Sequence, residues 1–293
     1  MLIKHIACPV DFSDFSVRAY RHALSLAAHY RATLVAFHVV ELWRYPYADY
    51  AASAGDYAQF SETLHAAGKE RLVEFAKNHT HPEVQPEFAV HEGRAPDAIL
   101  SFAKARNIDL IVMGTHGRRG FDRLVLGSAT DRVMREACCP VLAVCKTHDS
   151  ILEADAGHPH HLNRILLGTD FSANAVRALD YAISATEEYG AELTLLHVVE
   201  GVHGAARTEE AVATATQELD KLVPEEKRRA LKVTTLVRTG SPYQQIIEHA
   251  REAHIELVIL GVRGAGALDR AVFGSTTYRV IQLGPCPVLA VHV

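Results

Sequence analysis

The chain carries one long internal repeat. The stretch HIACPVDFSDFSVRAYRHALSLA, which begins at residue 5, resembles RILLGTDFSANAVRALDYAISAT, which begins at residue 164. The two HVVE stretches lie the same 159 residues apart, whereas DLIVMGTHG and ELVILGVRG, like CCPVLAV and PCPVLAV, lie 147 residues apart. Solenoid repeats are much shorter, so the sequence predicts two copies of a complete domain.

The repeat also sets the expected domain boundaries. We predict one domain at residues 1–146 and a second at residues 164–293, joined by a polar linker at residues 147–163. The change in separation gives the first copy twelve additional residues, which we place within residues 42–60. That segment is rich in tyrosine and contains the only tryptophan, so a lid, a contact surface and a longer loop all stay open.

Each copy alternates apolar runs with stretches of helical periodicity. Five strands of the first copy are predicted by HIACPV, TLVAFHVV, PEFAV, LIVMG and PVLAV, whose nearly continuous apolar character is typical of a parallel sheet covered on both faces. Asp14, Ser61 and Pro96 stand at the predicted helix starts. The predicted fold class is α/β, with two tandem Rossmann-like domains that each hold a doubly wound, five-stranded parallel sheet.

Composition argues against several classes of partner. The formal net charge is −5, and no basic stripe is present, which argues against nucleic-acid binding. No apolar run approaches the ~20 residues that span a bilayer, and the strand pattern at the N-terminus leaves no room for a signal peptide. Five cysteines form no CxxC motif and predict thiols in a reducing compartment. We therefore expect a cytoplasmic protein with no membrane partner.

Two stretches share one glycine spacing, GTHGRRGFDRLVLGSAT at residues 114–130 and GVRGAGALDRAVFGSTT at residues 261–277. Each runs from a predicted strand to a predicted helix N-terminus, where amide groups and partial positive charge favour an anion such as phosphate. The alternative is that these are turn glycines and that Ser128 only caps a helix. The glycines are kept while the residues between them diverge, which favours a shared task in binding or in folding.

Other motifs add little. The chain has no GxxxxGK[ST] phosphate loop, no GxGxxG after the first strand, and no HExxH or GxSxG motif. HPHH at residues 158–161 could ligate a metal, but it lies in the predicted linker, so we predict no metal site. His38 and His197 are expected to be core histidines with satisfied hydrogen bonds, and Cys139 and Cys286 to be buried thiols.

The order Gly, two residues, Gly, nine residues, Gly and then Ser or Thr resembles the ATP-binding motif of the universal stress protein (UspA) family. PVDFS and CPVLAV also resemble the first and last strands of that family, and only the linker and residues 42–60 fall outside the resemblance. It implies a cytoplasmic, ATP-binding tandem member that acts as a nucleotide-dependent regulator in a stress response. The implied cofactor is ATP, with or without Mg²⁺, and the implied partner is an unidentified protein.

The resemblance also implies which residues bind the nucleotide. Asp11 contacts the adenosine, and Pro9 and Val39 line the base pocket. Because Gly168 and Thr169 replace Pro9 and Val10, the base pocket of the second copy is expected to differ in shape. The implied residues are Pro9, Asp11, Val39, Met113, Gly114, Gly117, Gly127, Ser128, Ala129 and Thr130 in the first copy, and Asp170, Val198, Leu260, Gly261, Gly264, Gly274, Ser275, Thr276 and Thr277 in the second.

The last strand of each copy is expected to hold the two domains together. Members of the resembling family pair such strands between subunits, and an unpaired edge strand offers backbone groups for this pairing. We expect Val141–Val144 to pair with Val288–Val291 about a pseudo-twofold axis, aided by the high effective concentration that a tether provides. One chain would then mimic a dimer of single-domain proteins with two nucleotide sites, and whole chains are expected to form a homodimer.

Two alternatives to a nucleotide-binding regulator stay open. A nucleotide-hydrolysing enzyme needs a base or a positioned water and usually a carboxylate that holds a metal. Asp122 and Asp269 are the only such candidates near the glycines, so we expect no catalytic residues and at most a weak ATPase. The second alternative is an assembly module that has kept the glycines for folding alone.

Overall fold

The structure is a computed structural model. It describes residues 3–42, 54–116, 126–145, 162–201, 204–262 and 274–292. Several predictions concern residues outside these ranges: Gly117, Gly264, Asp122, Asp269 and the HPHH segment.

Residues 5–144 follow the predicted alternation of strands and helices. Tertiary contacts within this first half join each strand to its sheet neighbours and to the helices that cover them. The elements are β1 (His5–Pro9), α1 (Asp14–Tyr30), β2 (Thr33–Val40), α2 (Ala54–Lys77), β3 (Glu87–Glu92), α3 (Ala95–Ala105), β4 (Leu110–Gly114), α4 (Ser128–Glu136) and β5 (Val141–Val144).

Residues 164–291 repeat this order, with one additional short helix. That helix, α7, precedes the third strand of the second half. The elements are β6 (Arg164–Gly168), α5 (Ala173–Tyr189), β7 (Glu192–Val199), α6 (Ala205–Leu222), α7 (Glu225–Ala230), β8 (Val233–Thr239), α8 (Pro242–Glu252), β9 (Leu257–Gly261), α9 (Ser275–Leu283) and β10 (Val288–Val291).

All ten strands belong to one sheet, in the order β3-β2-β1-β4-β5-β10-β9-β6-β7-β8. The pairs within each half are parallel, and β5 and β10 pair antiparallel at the centre. Leu289 lies opposite Leu142 in that central pair. The predicted fold class and the predicted pairing of the last strands are therefore confirmed.

Peptide groups along β10 alternate between its two neighbours. The carbonyl oxygen of Pro287 accepts a hydrogen bond from the Val258 amide of β9 at 3.1 Å, and that of Val291 accepts one at 2.9 Å from the amide of Val262, directly after β9. Successive residues of a strand point their peptide groups to opposite sides, so Val288 and Ala290 direct theirs toward β5. The central ladder that joins the two halves thus depends on these two residues.

Helices cover both faces of the sheet. One hydrophobic cluster packs α1, α2, α5 and α6 against one face, and a second packs α3, α4, α8 and α9 against the other. Both clusters contain residues from both halves, so the core is continuous across the central strand pair. This layered burial accounts for the apolar strands. No helix within the described ranges is both long and apolar enough to cross a membrane.

One helix starts elsewhere than predicted, and another starts at Asp14 as predicted but is capped by the residue before it. Ser13, not Asp14, caps α1, and its hydroxyl accepts a hydrogen bond from the Ser16 amide. Ser61 lies inside α2, where its Oγ donates to Glu92 Oε2 at 2.9 Å, because the helix already begins at Ala54. Pro96 lies in the first turn of α3 as predicted. Residues 54–60 of the additional segment therefore lengthen a helix.

A second contact between the halves joins the C-terminal ends of α1 and α5. Glu188 Oε1 lies 2.9 Å from His29 Nε2, and the Tyr30 hydroxyl donates to Glu188 Oε2 at 2.9 Å. The ring of His29 also stacks on Tyr189, with 4.5 Å between the ring centroids. Burial and the neighbouring Tyr189 and Glu188 raise the pKa of Tyr30, so its hydroxyl remains a donor at neutral pH. Positions 29 and 188 are equivalent in the repeat. The contact thus joins equivalent positions of the two halves, but with a histidine on one side and a carboxylate on the other.

Replacing Glu188 with alanine is expected to lower the free energy of unfolding by about 1.5–3 kcal/mol, since the carboxylate accepts hydrogen bonds in a partly buried contact. Urea unfolding followed by circular dichroism measures this change. The neighbouring Glu187→Ala is the matched control, because its ion pair with Lys227 is half-exposed and should contribute under ~1 kcal/mol. Equal losses in the two variants would contradict a special role for Glu188.

Candidate functional site

A cleft of about 910 Å³ opens at the carboxyl ends of β6, β7 and β9. The chain runs from β6 to β7 on one side, and it later returns to β9 on the other side of β6. Ligands of doubly wound sheets bind at such a change of direction. The volume lies within the range of small-molecule sites. The cleft lining includes all predicted second-copy residues that the structure describes: Asp170, Val198, Leu260, Gly261, Gly274, Ser275, Thr276 and Thr277.

The N-terminus of α9 points into this cleft. Gly274 is its N-cap, and no side chain of the described residues caps it. The amide groups of the first turn of a helix have no partner within the helix and carry partial positive charge. Ser275 is exposed and adds a hydroxyl group. This end of the cleft can therefore accept an anion through backbone amides.

Thr277 has another task. Its Oγ1 donates to the carbonyl oxygen of Gly261 at 2.9 Å, and the residue is buried. Thr130 does the same in the first half, where it donates to Gly114 at 2.9 Å. Both hydroxyl protons are used to tie a helix start to a strand end. In the first half, Ser128 is the exposed hydroxyl group at the start of α4.

Two of the repeated glycines are required by packing. A Cβ atom at Gly261 would lie 2.8 Å from Asn174 Cβ and 2.9 Å from its carbonyl carbon. A Cβ at Gly114 would lie 2.7 Å from Phe15 Cβ and 3.0 Å from its backbone. The ends of β9 and β4 thus touch the first turns of α5 and α1, and only glycine fits.

The other two described glycines of the motif have backbone angles that do not require glycine. Gly127 has φ −56° and Gly274 has φ −57°, and every residue type adopts these angles. Gly274 lines the cleft at the start of α9. The absence of a side chain there keeps the backbone amides open to a ligand.

The turn after β6 forms one edge of the cleft. Asp170 Oδ1 accepts from the Ser172 amide at 3.1 Å, just as Asp11 Oδ1 accepts from Ser13 at 3.0 Å in the first half. The residue between them, Phe171, has φ 61°, a strained value for a side chain of this size. These contacts show that both aspartates stabilise turns.

The predicted core histidines also belong to this edge. His197 Nδ1 lies 2.9 Å from the Thr169 carbonyl oxygen, and His38 Nδ1 lies 2.7 Å from that of Val10. A carbonyl only accepts, so Nδ1 carries the proton in each case. Both histidines are satisfied, as predicted. Sequence reasoning missed that His197 lines the cleft, with its ring 4.6 Å from that of Phe171.

One polar wall of the cleft was not predicted. It consists of Glu200 after β7 and of Arg207, Glu210, Thr214 and Glu218 on α6. The spacing of three to four residues places the four α6 residues on one helix face. The wall carries three carboxylates and one guanidinium, so its net negative charge is unfavourable for a polyphosphate. Its carboxylates can instead accept hydrogen bonds from the hydroxyl groups of a ligand. An anion would therefore meet more favourable charge at the α9 side of the cleft than at this wall.

The first half places its predicted residues in equivalent positions. Pro9 ends β1, and Asp11 lies in the turn that follows. Val39 is half-buried on β2, and Met113 is buried on β4. The Gly127 amide donates to the Thr115 carbonyl at 2.9 Å, as Gly274 donates to Val262 at 3.0 Å in the second half. Ser128 and Ala129 then begin α4.

The two halves differ at the floor of the site. A Cβ at Gly168 would lie 2.6 Å from Leu260 Cδ2 and 3.1 Å from Ile246 Cδ1. These side chains fill the space that a residue larger than glycine would need. Proline stands at the equivalent position 9, next to a strand that carries Met113 instead of Leu260. The residues at this position therefore differ between the halves, and the different shape of the two base pockets stays a prediction.

No group of three or more histidine, cysteine, aspartate or glutamate side chains within the described parts of the chain is arranged to hold a metal ion.

Comparison with known proteins gives the family. The model of the universal stress protein family matches residues 2–144 and again residues 161–292. A universal stress protein from Methanocaldococcus jannaschii is 37% identical over 145 residues, which cover 50% of this chain and 84% of the relative. One from Mycolicibacterium smegmatis is 27% identical over 293 residues, which cover 97% of this chain and 95% of the relative.

The fold comparison agrees with the family match. A crystal structure of a universal stress protein from Archaeoglobus fulgidus superposes with a TM-score of 0.69 and 21% identity, covering 98% of this chain and 96% of that chain. That likeness extends through both halves. The chain therefore belongs to the universal stress protein family, as a member with two tandem copies.

Proposed function

We propose that the chain binds an adenine nucleotide, ATP with or without Mg²⁺, at the carboxyl edge of each half of the sheet. The observation that carries this proposal is the cleft in which strand ends, a turn and the start of α9 meet. Its occupant would make the chain a nucleotide-dependent regulator that acts in the cytoplasm. The homodimer of chains and the unidentified protein partner stay predictions.

The chemistry of the cleft suggests how the nucleotide lies. The phosphates bind at Gly274, Ser275 and Thr276, where backbone amides and the helix dipole favour negative charge. The base lies against the buried side chains of Val198 and Leu260. The ribose then falls between these ends, beside carboxylates that accept its hydroxyl protons. A bound Mg²⁺ would reach the site on phosphate oxygens, where it reduces their negative charge.

ATP at 100 times its dissociation constant is expected to stabilise the protein by about 2.7 kcal/mol per site. This corresponds to a rise in melting temperature of roughly 5–10 °C, which differential scanning fluorimetry measures. Adenosine and inorganic triphosphate, each added alone, should give smaller shifts, because each occupies only one end of the cleft.

Mass spectrometry of small molecules released from the purified protein must accompany this experiment. A protein that releases adenine nucleotide would already be loaded, and removal of that nucleotide should lower the melting temperature. A protein free of nucleotide that shows no shift with millimolar ATP, ADP or AMP would contradict the proposal. Release of ADP during the incubation separates binding from the alternative of slow hydrolysis.

A further inference from the structure

The central strand pair brings two cysteines from different halves to the same place. In the register of β5 and β10, Ala143 lies opposite Val288. Continued by two residues, past the end of β5 and into the bend that precedes β10, this antiparallel register would place Cys145 opposite Cys286. Directly opposed residues of such a pair have Cα atoms about 4.5–5.5 Å apart, within the 4.4–6.8 Å that a disulfide spans.

The two side chains also share one face of the sheet. Val141 and Ala143 of β5 and Val288 of β10 belong to the cluster that packs against α4 and α9, and so does Cys286. Side chains alternate along a strand, so Cys145 follows on the same face. The Cys145 thiol also contributes to raising the pKa of Cys286, which agrees with thiols that lie close together.

The equivalent corner of the repeat shows that such residues reach across the junction. His292 occupies the position that corresponds to Cys145, directly after β10. Its Nε2 lies 2.8 Å from the carbonyl oxygen of Met134 on α4, a helix of the other half. At this corner His292 faces Cys139 in the continued register, so only the Cys145 corner holds two thiols.

We propose that Cys145 and Cys286 form a reversible disulfide that fastens the two halves of the chain to each other under oxidising conditions. All five cysteines are thiols in the structure, so the crosslink is a modification and not part of the fold. Cys145 is half-buried and reachable, whereas Cys286 is buried. Transient disulfides of this kind are the ones that occur in reducing compartments.

The reaction balances with hydrogen peroxide as the oxidant. The Cys145 thiolate attacks one peroxide oxygen, the O–O bond breaks, and the hydroxide that leaves takes up a proton to become water. The Cys286 sulfur then attacks the sulfenic sulfur of Cys145, an S–S bond replaces the S–O bond, and a second water leaves with the Cys286 proton. Two thiols lose two electrons, and one peroxide becomes two waters. Burial raises the pKa of Cys286, so Cys145 is the thiol that attacks first.

The test is peptide mapping of the full chain after treatment with hydrogen peroxide. We expect a tryptic pair joined through Cys145 and Cys286, a mass loss of two hydrogens, and faster migration in a non-reducing gel, because the bond closes a loop of about 140 residues. The urea concentration that separates the halves should rise, and dithiothreitol should return it to the starting value.

Matched variants assign the thiols. Cys145→Ser and Cys286→Ala should lose the joined peptide and the migration shift, whereas Cys138→Ser, which removes the exposed thiol, should keep both. Fragmentation of the linked wild-type peptides decides the matter even if Cys286→Ala folds poorly, because the tryptic peptide of residues 136–146 contains Cys138 and Cys139 as well as Cys145. The proposal is wrong if peroxide leaves Cys145 as a sulfinic acid with no linked peptide, joins Cys138 to Cys139, or links different chains.

Discussion

Gly274→Ala is expected to weaken ATP binding in the second half by about tenfold or more, which corresponds to ~1.4 kcal/mol, while the fold remains intact. The residue lines the cleft at the start of α9, so a methyl group there would occupy space that phosphate oxygens need. Its φ of −57° suits alanine. The change in the free energy of unfolding should therefore stay near 1 kcal/mol or below, the usual effect at a helix N-cap.

Gly261→Ala is expected to destabilise the fold, in contrast to Gly274→Ala. The new Cβ would lie 2.9 Å from the carbonyl carbon of Asn174 and 3.0 Å from the Ala175 amide nitrogen, and backbone atoms cannot move aside as a side-chain tip can. Such overpacking costs about 1–3 kcal/mol of stability. The contrast between these two glycines separates the role in binding from the role in folding, which the sequence left open.

Isothermal titration calorimetry with ATP and urea unfolding measure the two effects side by side. Gly127→Ala and Gly114→Ala repeat the comparison in the first half, where a Cβ atom at Gly114 would lie 3.0 Å from the backbone of Phe15. If each binding variant loses half of the bound nucleotide, both halves carry a site. Unchanged affinity in both Gly127→Ala and Gly274→Ala, with an intact fold, would mean that the glycines serve folding alone.

The sequence was sufficient to predict the architecture because the repeat and the apolar strand runs leave few arrangements. Two copies of a strand–helix alternation predict two parallel half-sheets, and the apolar ends PVLAV predict their junction, which the structure confirms between β5 and β10. The error at Ser61 has a simple cause. A serine within a helix-forming stretch resembles a cap, and only the distant Glu92 shows where its hydroxyl donates.

The site was harder to predict because its energetics depend on contacts between elements. The packing of Gly261 against Asn174 joins a strand end to a helix that is far away in the sequence, and no local pattern carries that information. The same holds for Thr277, whose hydroxyl donates to the carbonyl oxygen of Gly261. The helical spacing of Arg207, Glu210 and Glu218 could have predicted that they share one face of a helix. It could not have predicted that this face borders the cleft.

Ala290→Pro is expected to open the junction between the two halves. The carbonyl groups of Pro287 and Val291 point toward β9. Successive residues of a strand point to opposite sides, so the peptide group of Ala290 points toward β5. Proline removes the amide donor from the middle of a sheet, where it is not tolerated. We expect a larger radius of gyration in small-angle X-ray scattering and faster protease cleavage within residues 147–163, the predicted linker.

Leu289→Pro is the matched control on the same strand. Leu289 faces Leu142 across the junction, but its peptide group points toward β9. Proline at this position therefore removes a hydrogen bond within the second half and not one between the halves. We therefore expect Leu289→Pro to lower the unfolding midpoint of the second half, and Ala290→Pro to separate halves that each keep their helical signal in circular dichroism. Separation is expected because a four-residue strand pair offers few ladder bonds, so the loss of one weakens the junction directly. If Ala290→Pro left scattering and protease cleavage unchanged, the junction would depend on the buried side chains of the continuous core and not on the ladder.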